Sequence, residues 1–377
     1  MSEHTHALTP GFARLTASDR PGVAQPVPER DIPNLPWHAI MLAAGTIALA
    51  LIGAWEWHWR AFGATASYAN SDSAWAEQRR RIDQGEGDKT VLIGSSRVLF
   101  DVQLPQWQQT TGTRPIQLAL QGTSPVPLLE DLAKDANFTG RLLVGVAPDV
   151  FFSGFAARGN VIDYYHKQGP SQRVGHWLSQ RLLEPFFAFY DPDFALAAVI
   201  NRQAWPARQG VRSLTRVRKL SISEADRNTQ MWQKVEADPS YQAMARGIWL
   251  ERFAARPPDM NTPEKAKQVI ELQISRAVAA VQMLRARGVR VLFLRAPSNG
   301  EYYAFENKAF PRASTWDELL RRTAAPGIHF EDYPEFDALT LPEWSHLSAA
   351  DAAKFTLLLA PQAEQAFRNM EQPNAPR

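Results

Sequence analysis

The chain has 377 residues, of which 45% are hydrophobic and 21% charged, and its 41 basic and 39 acidic side chains leave a net charge of +2. This composition is typical of a globular protein with a sizeable core and excludes collagen-like, low-complexity and largely disordered classes. The balance of charge gives no indication of nucleic-acid binding. The absence of cysteine excludes disulfides, thiolate metal sites and thiol nucleophiles, so covalent catalysis would need another nucleophile.

A membrane-spanning helix is the first element that the sequence predicts. Residues 39–55 contain no charged side chain, and this length is close to the minimum for crossing a bilayer. With its flanking residues the predicted anchor covers 36–59, where Trp55, Trp57 and Trp59 suit the aromatic belt at a membrane surface.

Two alternatives to an anchor remain open, a buried core helix and a signal peptide cleaved after the small residues 64–66. A polar, proline-rich tail, predicted as disordered over 1–35, precedes the apolar run, and Arg60 lies before the cleavage site. Both features favour an uncleaved anchor. The distribution of basic residues favours a cytoplasmic N-terminus only slightly. The long body would then lie on the other side of the membrane, which is the periplasm in a Gram-negative bacterium.

The body opens as an alternation of short strands and helices. The runs 89–93, 116–120 and 142–146 are β-branched and aliphatic, are bounded by turn residues, and predict strands. Residues 127–136 carry leucines on one face, as does a helix that covers a parallel sheet. The first half of an α/β domain is therefore predicted over 60–154.

The alternation returns in the second half, residues 261–377. Thr262 is a predicted N-cap and Pro263 occupies the first helical position. Four elements follow in chain order: a helix from 262 to 288, strands at 289–294 and 327–331, and a helix at 348–367. The two halves together predict an α/β fold with a parallel sheet and helices on both faces.

Residues 155–260 interrupt the α/β pattern. The segment is rich in aromatic residues and arginine, is broken by prolines and lacks alternating runs, so a helical insertion or lid is predicted. Its fifteen basic and ten acidic residues give it a charge of +5. Five basic residues with no acidic residue between them predict a basic stripe on a helix: Arg208, Arg212, Arg216, Arg218 and Lys219. The stripe is either a solvated face or a contact with an anionic polymer or lipid headgroups.

Two serines, Ser95 and Ser96, follow the first predicted strand. Ligands bind at the carboxyl ends of parallel strands, and N–H groups at a helix start can stabilise an oxyanion. A serine nucleophile needs a base, and only two of the eight histidines, His329 and His346, belong to the second half of the α/β domain. His329 alternates within a strand, a structural position, whereas His346 follows Glu343 in a loop before the last helix.

This combination resembles the SGNH (GDSL-like) hydrolase superfamily, in which a Gly-x-Ser turn carries the nucleophile and an Asp-x-x-His motif before the last helix carries the acid and base. The matching positions are Gly94-Ser95-Ser96 and Glu343-Trp344-Ser345-His346. The resemblance implies Ser96 as nucleophile, His346 as base and Glu343 as acid. Gly122 matches the glycine that lends an N–H to the oxyanion hole. The match spans roughly 89–150 and 262–367, and it implies a three-layer SGNH-like fold.

The chain departs from the family pattern in two places. The Gly-x-Asn-Asp block after the third strand is replaced by Val146-Ala147-Pro148-Asp149, which leaves the third oxyanion donor unassigned. Glutamate also replaces the usual aspartate before the histidine. Asp337 and Glu335 remain alternatives to Glu343 as the acid.

The Gly-Ser-Ser-Arg form and the single N-terminal span resemble one branch, the membrane-anchored SGNH-like proteins that accompany membrane-bound O-acyltransferases in alginate and cellulose acetylation and in teichoic-acid D-alanylation. This resemblance implies transfer of an O-acyl group, expected to be acetyl, to a cell-surface or exported polysaccharide, with the acyl donor relayed by a membrane-bound O-acyltransferase. It implies an inner-membrane protein with a periplasmic body. Two alternatives stay open: a carbohydrate or acyl esterase, and a non-catalytic glycan-binding or scaffold subunit.

Residues near the predicted site suit contacts with a saccharide. Arg97, Trp344, Ser298 and Asn299 are predicted at its rim, with packing or solvation as an equally open interpretation. No cofactor is expected. A metal ion in particular is not expected, because histidines and carboxylates do not cluster at the spacing of metal ligands.

Overall fold

The computed structural model describes residues 33–202, 217–254 and 260–371. The chain forms two units, Met1–Gly53 and Ala54–Arg377. Most of the predicted tail, residues 1–32, and three arginines of the predicted stripe lie outside the described residues; these are Arg208, Arg212 and Arg216.

The first described helix, α1, runs from Trp37 to Phe62 and is long and apolar enough to cross a membrane. At 1.5 Å per residue its 26 residues extend about 39 Å, more than the roughly 30 Å of a hydrocarbon core. None of its most apolar stretch is buried. This exposure argues against a core helix, which would be covered by other elements.

The strands of the described residues are β1 Thr90–Ile93, β2 Ile116–Gln117, β3 Arg141–Gly145, β4 Ser221–Ser223, β5 Thr229–Met231, β6 Arg290–Arg295 and β7 Gly327–His329. Five of them form a parallel central sheet in the order β2-β1-β3-β6-β7, and β4 and β5 form a separate antiparallel pair. The strand order reverses between β1 and β3. Such a reversal opens a crevice at the carboxyl ends of the two strands.

Helices cover both faces of the sheet. The α-helices after α1 are α2 Asp72–Arg81, α3 Ser96–Asp101, α4 Leu104–Thr111, α5 Val126–Lys134, α6 Pro148–Phe151, α7 Val161–Lys167, α8 Pro170–Leu182, α9 Leu196–Asn201, α10 Gln233–Ala237, α11 Pro239–Ala254, α12 Pro263–Ala286, α13 Gly300–Ala309, α14 Trp316–Thr323 and α15 Ala349–Glu371. Alternate strand residues feed two cores, because successive side chains of a strand point to opposite faces. Val144 packs in the core with α5 and α12, and Leu143 in the core with α4 and α15.

The predicted α/β elements are confirmed, with shifted ends. β2 covers only Ile116 and Gln117 of the predicted 116–120. The chain still runs beside β1 after it, because the N–H groups of Leu118 and Leu120 donate to the carbonyls of Leu92 at 2.8 Å and Gly94 at 2.9 Å. The Thr262 hydroxyl accepts a hydrogen bond from the Lys265 N–H at 3.3 Å, so it caps α12 as predicted. Helix α2 is an element that the sequence analysis did not include.

The insertion is not purely helical, which corrects the prediction for 155–260. It contains the antiparallel pair β4–β5, whose three-residue strands are too short to give an alternating pattern. The turn between them places Arg227 at a φ of 67° and fully buries its side chain. Its guanidinium donates to the carbonyls of Gln117 at 2.6 Å and Ala119 at 2.7 Å, which fastens the insertion to the end of β2.

The described end of the predicted basic stripe is also not helical. Residues 217–220 have no regular secondary structure, so Arg218 and Lys219 do not share a helix face. Lys219 is buried and forms an ion pair with Asp191. Its charge is therefore neutralised inside the protein rather than presented to solvent.

Candidate active site

A cleft of about 530 Å³ lies at the carboxyl ends of the central strands. Its walls come from the segments that follow β1, β2 and β3, from the loop before α15, and from the insertion. The lining residues are Ser95, Ser96, Arg97, Phe100, Gln121, Gly122, Ala147, Asp149, Val150, Ala157, Asp193, Arg202, Arg218, Leu220, Ser221, Trp249, Arg252, Tyr302, Ser345 and His346. Four predicted site residues, Ser96, Arg97, Gly122 and His346, thus share one cavity.

The turn after β1 positions Ser96. Gly94 passes so close to α3 that a Cβ there would lie 2.6 Å from Cγ2 of Val98, so no larger residue fits without displacement. Ser95 is the extended N-cap residue, and Ser96 is the first residue of α3. The N–H groups in the first turn of a helix have no carbonyl partner within it, so the N–H of Ser96 is available to a ligand.

Gly122 lies in the turn after β2 and lines the same cleft as Ser96. Its φ of +56° is in the left-handed region that favours glycine, and its carbonyl accepts from the Ala157 N–H at 3.1 Å. Within the described part of the chain, the Gly122 N–H donates no backbone hydrogen bond. The turn is thus held in place while its N–H remains free.

The loop before α15 pairs Glu343 with His346. Oε1 of Glu343 accepts from Nδ1 and from the backbone N–H of His346, both at 2.7 Å. Both side chains are buried, with 0% and 1% exposure. Trp344, between them, has a φ of +74°, an uncommon conformation for a non-glycine residue that tightens the turn. Glu335 and Asp337, the alternative acids, are exposed instead.

This pairing determines which nitrogen of His346 can act as a base. A carboxylate only accepts hydrogen bonds, so in the neutral imidazole the proton is on Nδ1 and the lone pair is on Nε2. Nε2 is buried and has no hydrogen-bond partner among the described residues, and this includes Ser96 Oγ. The structure therefore brings the serine and the histidine into one cleft without a hydrogen bond between them.

Contacts with α3 fix the position of this loop. The Leu347 N–H donates to Oδ1 of Asp101 at 2.9 Å, and Nε of Arg97 donates to the Ser345 carbonyl at 3.2 Å. Burial raises the pKa of Asp101 to about 7. The residues on both sides of His346, Ser345 and Leu347, are therefore held against the helix that carries the nucleophile candidate.

Trp249, on α11, is a site residue that the sequence analysis missed. Its indole N–H donates to Oε2 of Glu343, and its ring centroid lies 6.1 Å from that of His346. Phe100 covers the imidazole at 4.4 Å. Trp249 is 94 residues from Glu343 in sequence, so no local pattern could have identified the contact.

Arg97 belongs to a buried ion network rather than to a solvated rim. It is 3% exposed, its Nη1 lies 2.9 Å from Oε1 of Glu306, and its guanidinium lies 4.8 Å from the Tyr302 ring centroid. Arg295 donates to the same carboxylate at 2.8 Å. Ser298 receives a hydrogen bond from Arg295 and donates to Glu306, so it is also buried.

The remaining predicted rim residues do not line the cleft. Trp344 is half-buried and packs against Gly300 and the Arg246 guanidinium, which lies 5.2 Å from its ring centroid. Asn299 is exposed at the start of α13, and its backbone N–H donates to the Trp344 carbonyl at 3.0 Å. Trp344 and Asn299 thus contact each other rather than the cavity, and Ser298 belongs to the buried ion network. This corrects the predicted rim.

Asp149 follows β3, in the segment Val146-Ala147-Pro148-Asp149 that stands where the SGNH pattern has its Gly-x-Asn-Asp block. It is 8% exposed, accepts from the Tyr302 hydroxyl at 2.8 Å and pairs with Nη2 of Arg252 at 3.2 Å. Burial, with the charge of Asp149, holds the pKa of Tyr302 well above its ordinary value of 10, so the hydroxyl stays protonated. Oδ1 of Asp149 is buried without a hydrogen-bond partner in the described ranges. A cleft hydroxyl could donate to it.

The cleft carries a positive charge. Four arginines and two aspartates line it. Arg202 pairs with Asp193 at 2.6 Å, and Arg252 pairs with Asp149. Nε of Arg218 is buried and has no hydrogen-bond partner in the part of the chain that the structure describes. The lining therefore suits a ligand with an anionic or strongly polar group.

Among residues 33–202, 217–254 and 260–371, no group of three or more histidine, aspartate or glutamate side chains could hold a metal ion. No family model matches the chain, and no curated protein matches it.

Proposed function

We propose that this protein is a membrane-anchored, serine-dependent O-acyltransferase with an SGNH-like α/β domain, acting on a cell-surface or exported polysaccharide. The observation that carries the proposal is the His346–Glu343 pair at 2.7 Å, whose free Nε2 belongs to a residue of the cleft that also contains Ser96. The strand order, with Ser96 at the crevice between β1 and β3, supports it.

The chemistry would proceed in two steps. Ser96 Oγ attacks the acyl carbonyl of a donor ester while His346 Nε2 takes its proton, and the N–H groups of Ser96 and Gly122 bind the resulting oxyanion. The intermediate collapses as His346 returns the proton to the leaving alcohol, which leaves an acyl ester on Ser96. A hydroxyl of the polysaccharide then gives its proton to His346 and attacks the ester carbonyl. The second intermediate collapses with breakage of the bond to Ser96 Oγ, and His346 returns the proton to that oxygen, which regenerates Ser96.

Other residues would hold the groups in position. Glu343 stabilises the imidazolium that forms in each step, and Trp249 holds the second oxygen of that carboxylate. Asp149 Oδ1 and Arg218 offer an acceptor and a donor to the saccharide. We propose a bacterial inner-membrane location with the body in the periplasm, where a membrane-bound O-acyltransferase would supply the acyl donor. No metal or organic cofactor enters this scheme.

One observation favours a second candidate, a non-catalytic glycan-binding or scaffold subunit. His346 Nε2 and Ser96 Oγ are not hydrogen-bonded to each other. Hydrogen bonds between catalytic groups are often long in enzymes without substrate and tighten when substrate binds, so the same separation is also compatible with catalysis.

An acyl-transfer assay on the full chain in lipid nanodiscs separates the candidates. With p-nitrophenyl acetate as donor and an oligosaccharide as acceptor, the transferase produces acetylated oligosaccharide, measured by mass spectrometry. Release of free acetate alone indicates an esterase. Neither product, together with retained oligosaccharide binding, indicates the scaffold and refutes the proposal.

Matched variants test the residues in the same assay. Ser96→Ala and His346→Gln should each lower transfer by about 10³-fold or more, as removal of a triad member does. Ser314→Ala, on an exposed turn outside the cleft, should retain it. Equal activity of Ser96→Ala and Ser314→Ala would exclude Ser96 as the nucleophile.

A further inference from the structure

Helix α8, in the insertion, exposes its apolar side chains. Val174, Trp177 and Leu178 are 56%, 53% and 41% exposed, and Leu182, at the end of the helix, is 58% exposed. Their spacing of three and four residues puts them on one side of the helix. The exposed apolar surface continues past the end of α8. We call the whole surface the apolar patch, and its members are Val174, Trp177, Leu178, Leu182, Leu183 and Phe186.

The polar side of α8 is the side that contacts the protein. His176 Nε2 lies 3.0 Å from a carboxylate oxygen of Glu77, and the Ser179 hydroxyl donates to Glu184 at 2.6 Å. No residue of α8 is buried. A surface helix of a water-soluble domain has the reverse arrangement, with its apolar stripe toward the core. The outer side of α8 is therefore suited to an apolar environment outside this chain.

The apolar patch is tied to the end of α1. Nη2 of Arg60 donates to the Phe186 carbonyl at 2.9 Å, and Glu56 accepts from the N–H groups of Ala188 and Phe189, each at 3.0 Å. Arg60 and Glu56 belong to the last two turns of α1, within the second unit. If α1 crosses a bilayer, these turns emerge at its surface. The apolar patch, which is bonded to these turns, then lies at the level of the membrane surface.

Basic side chains accompany the patch. Arg173 and Arg181 are exposed on α8, and the Arg181 guanidinium lies 5.1 Å from the Trp177 ring centroid. A face that combines tryptophan and leucine with arginine is the chemistry of helices that lie in the membrane interface, where apolar side chains enter the lipid and cations meet anionic headgroups.

We propose that the apolar patch inserts into the headgroup region of the bilayer that α1 crosses. The patch is then a second contact of this chain with the membrane. The proposal goes beyond the proposed catalytic function and does not depend on it. A second copy of this chain, or an apolar partner protein, would give a different result in the experiment that follows.

Spin labels can measure the surroundings of the patch in the full chain. Because the chain has no cysteine, each variant carries a single labelling site. Leu178→Cys and Leu182→Cys report on the patch. Leu49→Cys, 72% exposed on α1, reports on the anchor, and Leu272→Cys, 55% exposed on α12, is the matched exposed leucine outside the patch. Each labelled protein is reconstituted into vesicles of phosphatidylethanolamine and phosphatidylglycerol.

Collision with oxygen, which concentrates in lipid, is compared with collision with a water-soluble nickel complex. The proposal predicts an oxygen-to-nickel ratio at Leu178 and Leu182 several times that at Leu272. High accessibility to nickel at both patch positions would place the patch in water and refute the proposal. Low accessibility to both reagents would mean that protein covers the patch, and would also refute it. The ratio at Leu49 tests the anchor separately, so failure of the anchor is distinguishable from failure of the patch.

Discussion

Replacing Glu343 by glutamine would set two hydrogen-bond donors against each other in a fully buried site. In the protein, Oε1 of Glu343 accepts from the ring and backbone of His346, and Oε2 accepts from the indole of Trp249. A glutamine amide offers one accepting oxygen and one donating NH₂ group. Two of the three donors are on the His346 side, so the amide oxygen is expected there. The NH₂ group would then face the indole N–H.

The size of the effect follows from the lost and unsatisfied bonds. A hydrogen bond to a charged group contributes about 1.5–3 kcal/mol, and a buried donor without a partner costs about 1–3 kcal/mol. We expect Glu343→Gln to lower the free energy of unfolding by about 2–4 kcal/mol. Trp249→Phe loses a favourable bond in the wild type but removes an unsatisfied donor in the glutamine background. Its cost should therefore be about 2 kcal/mol smaller in that background.

A double-mutant cycle measures this coupling, by urea unfolding of the full chain in detergent micelles followed by circular dichroism. The cavity left by the smaller ring occurs in both backgrounds and cancels in the cycle. Trp75→Phe is the matched control, because the Trp75 indole is also buried and donates to the Leu118 carbonyl at 2.9 Å. Its effect should add to that of Glu343→Gln within about 0.5 kcal/mol. If the effect of Trp249→Phe also adds to that of Glu343→Gln within about 0.5 kcal/mol, the arrangement in which Glu343 accepts from His346 through one oxygen and from Trp249 through the other is refuted.

Three further predictions concern stability. The folded pKa of Asp101 is raised from 3.8 to about 7, so the wild type loses stability as pH rises between these values. Asp101→Asn should gain up to about 4 kcal/mol relative to wild type between pH 4 and 8, and a constant difference in urea unfolding would contradict this. Glu306→Ala leaves the buried charges of Arg97 and Arg295 without their carboxylate partner and should cost about 3–5 kcal/mol, whereas Glu318→Ala, which removes a half-exposed carboxylate, should leave the urea midpoint unchanged. Gly300→Ala should lower the melting temperature, since its Cβ would lie 2.6 Å from Trp344 Cδ1; an unchanged temperature would contradict this.

Local sequence patterns are sufficient for the parts of the fold that local chemistry determines. The N-cap at Thr262 and the strands around Val91, Leu142 and Val291 depend on residues close in sequence. The pairing of Glu343 with His346 spans three positions, so the sequence could place it among the alternatives. These are interactions within one turn, loop or strand.

Contacts between segments that are far apart in the chain could not be predicted from local sequence patterns. Trp249 reaches Glu343 across 94 positions, and Arg97 meets Glu306 inside the protein. An arginine near a predicted site suggests a ligand contact, but whether a carboxylate on another helix neutralises it depends on the tertiary fold. The strands β4 and β5 were missed because three residues each are too few to give a periodic signal. Their position depends on distant contacts, such as that of Arg227 with the Gln117 carbonyl of β2.

The most direct test of catalysis through Ser96 is covalent labelling. The full chain is treated with a fluorophosphonate, which reacts with activated serines, and the adduct is mapped by peptide mass spectrometry. We predict an adduct on Ser96 that is lost in His346→Gln and retained in Ser221→Ala, which removes another serine of the cleft. An adduct on Ser95 or Ser221 in place of Ser96, or no adduct on any serine, would contradict the account.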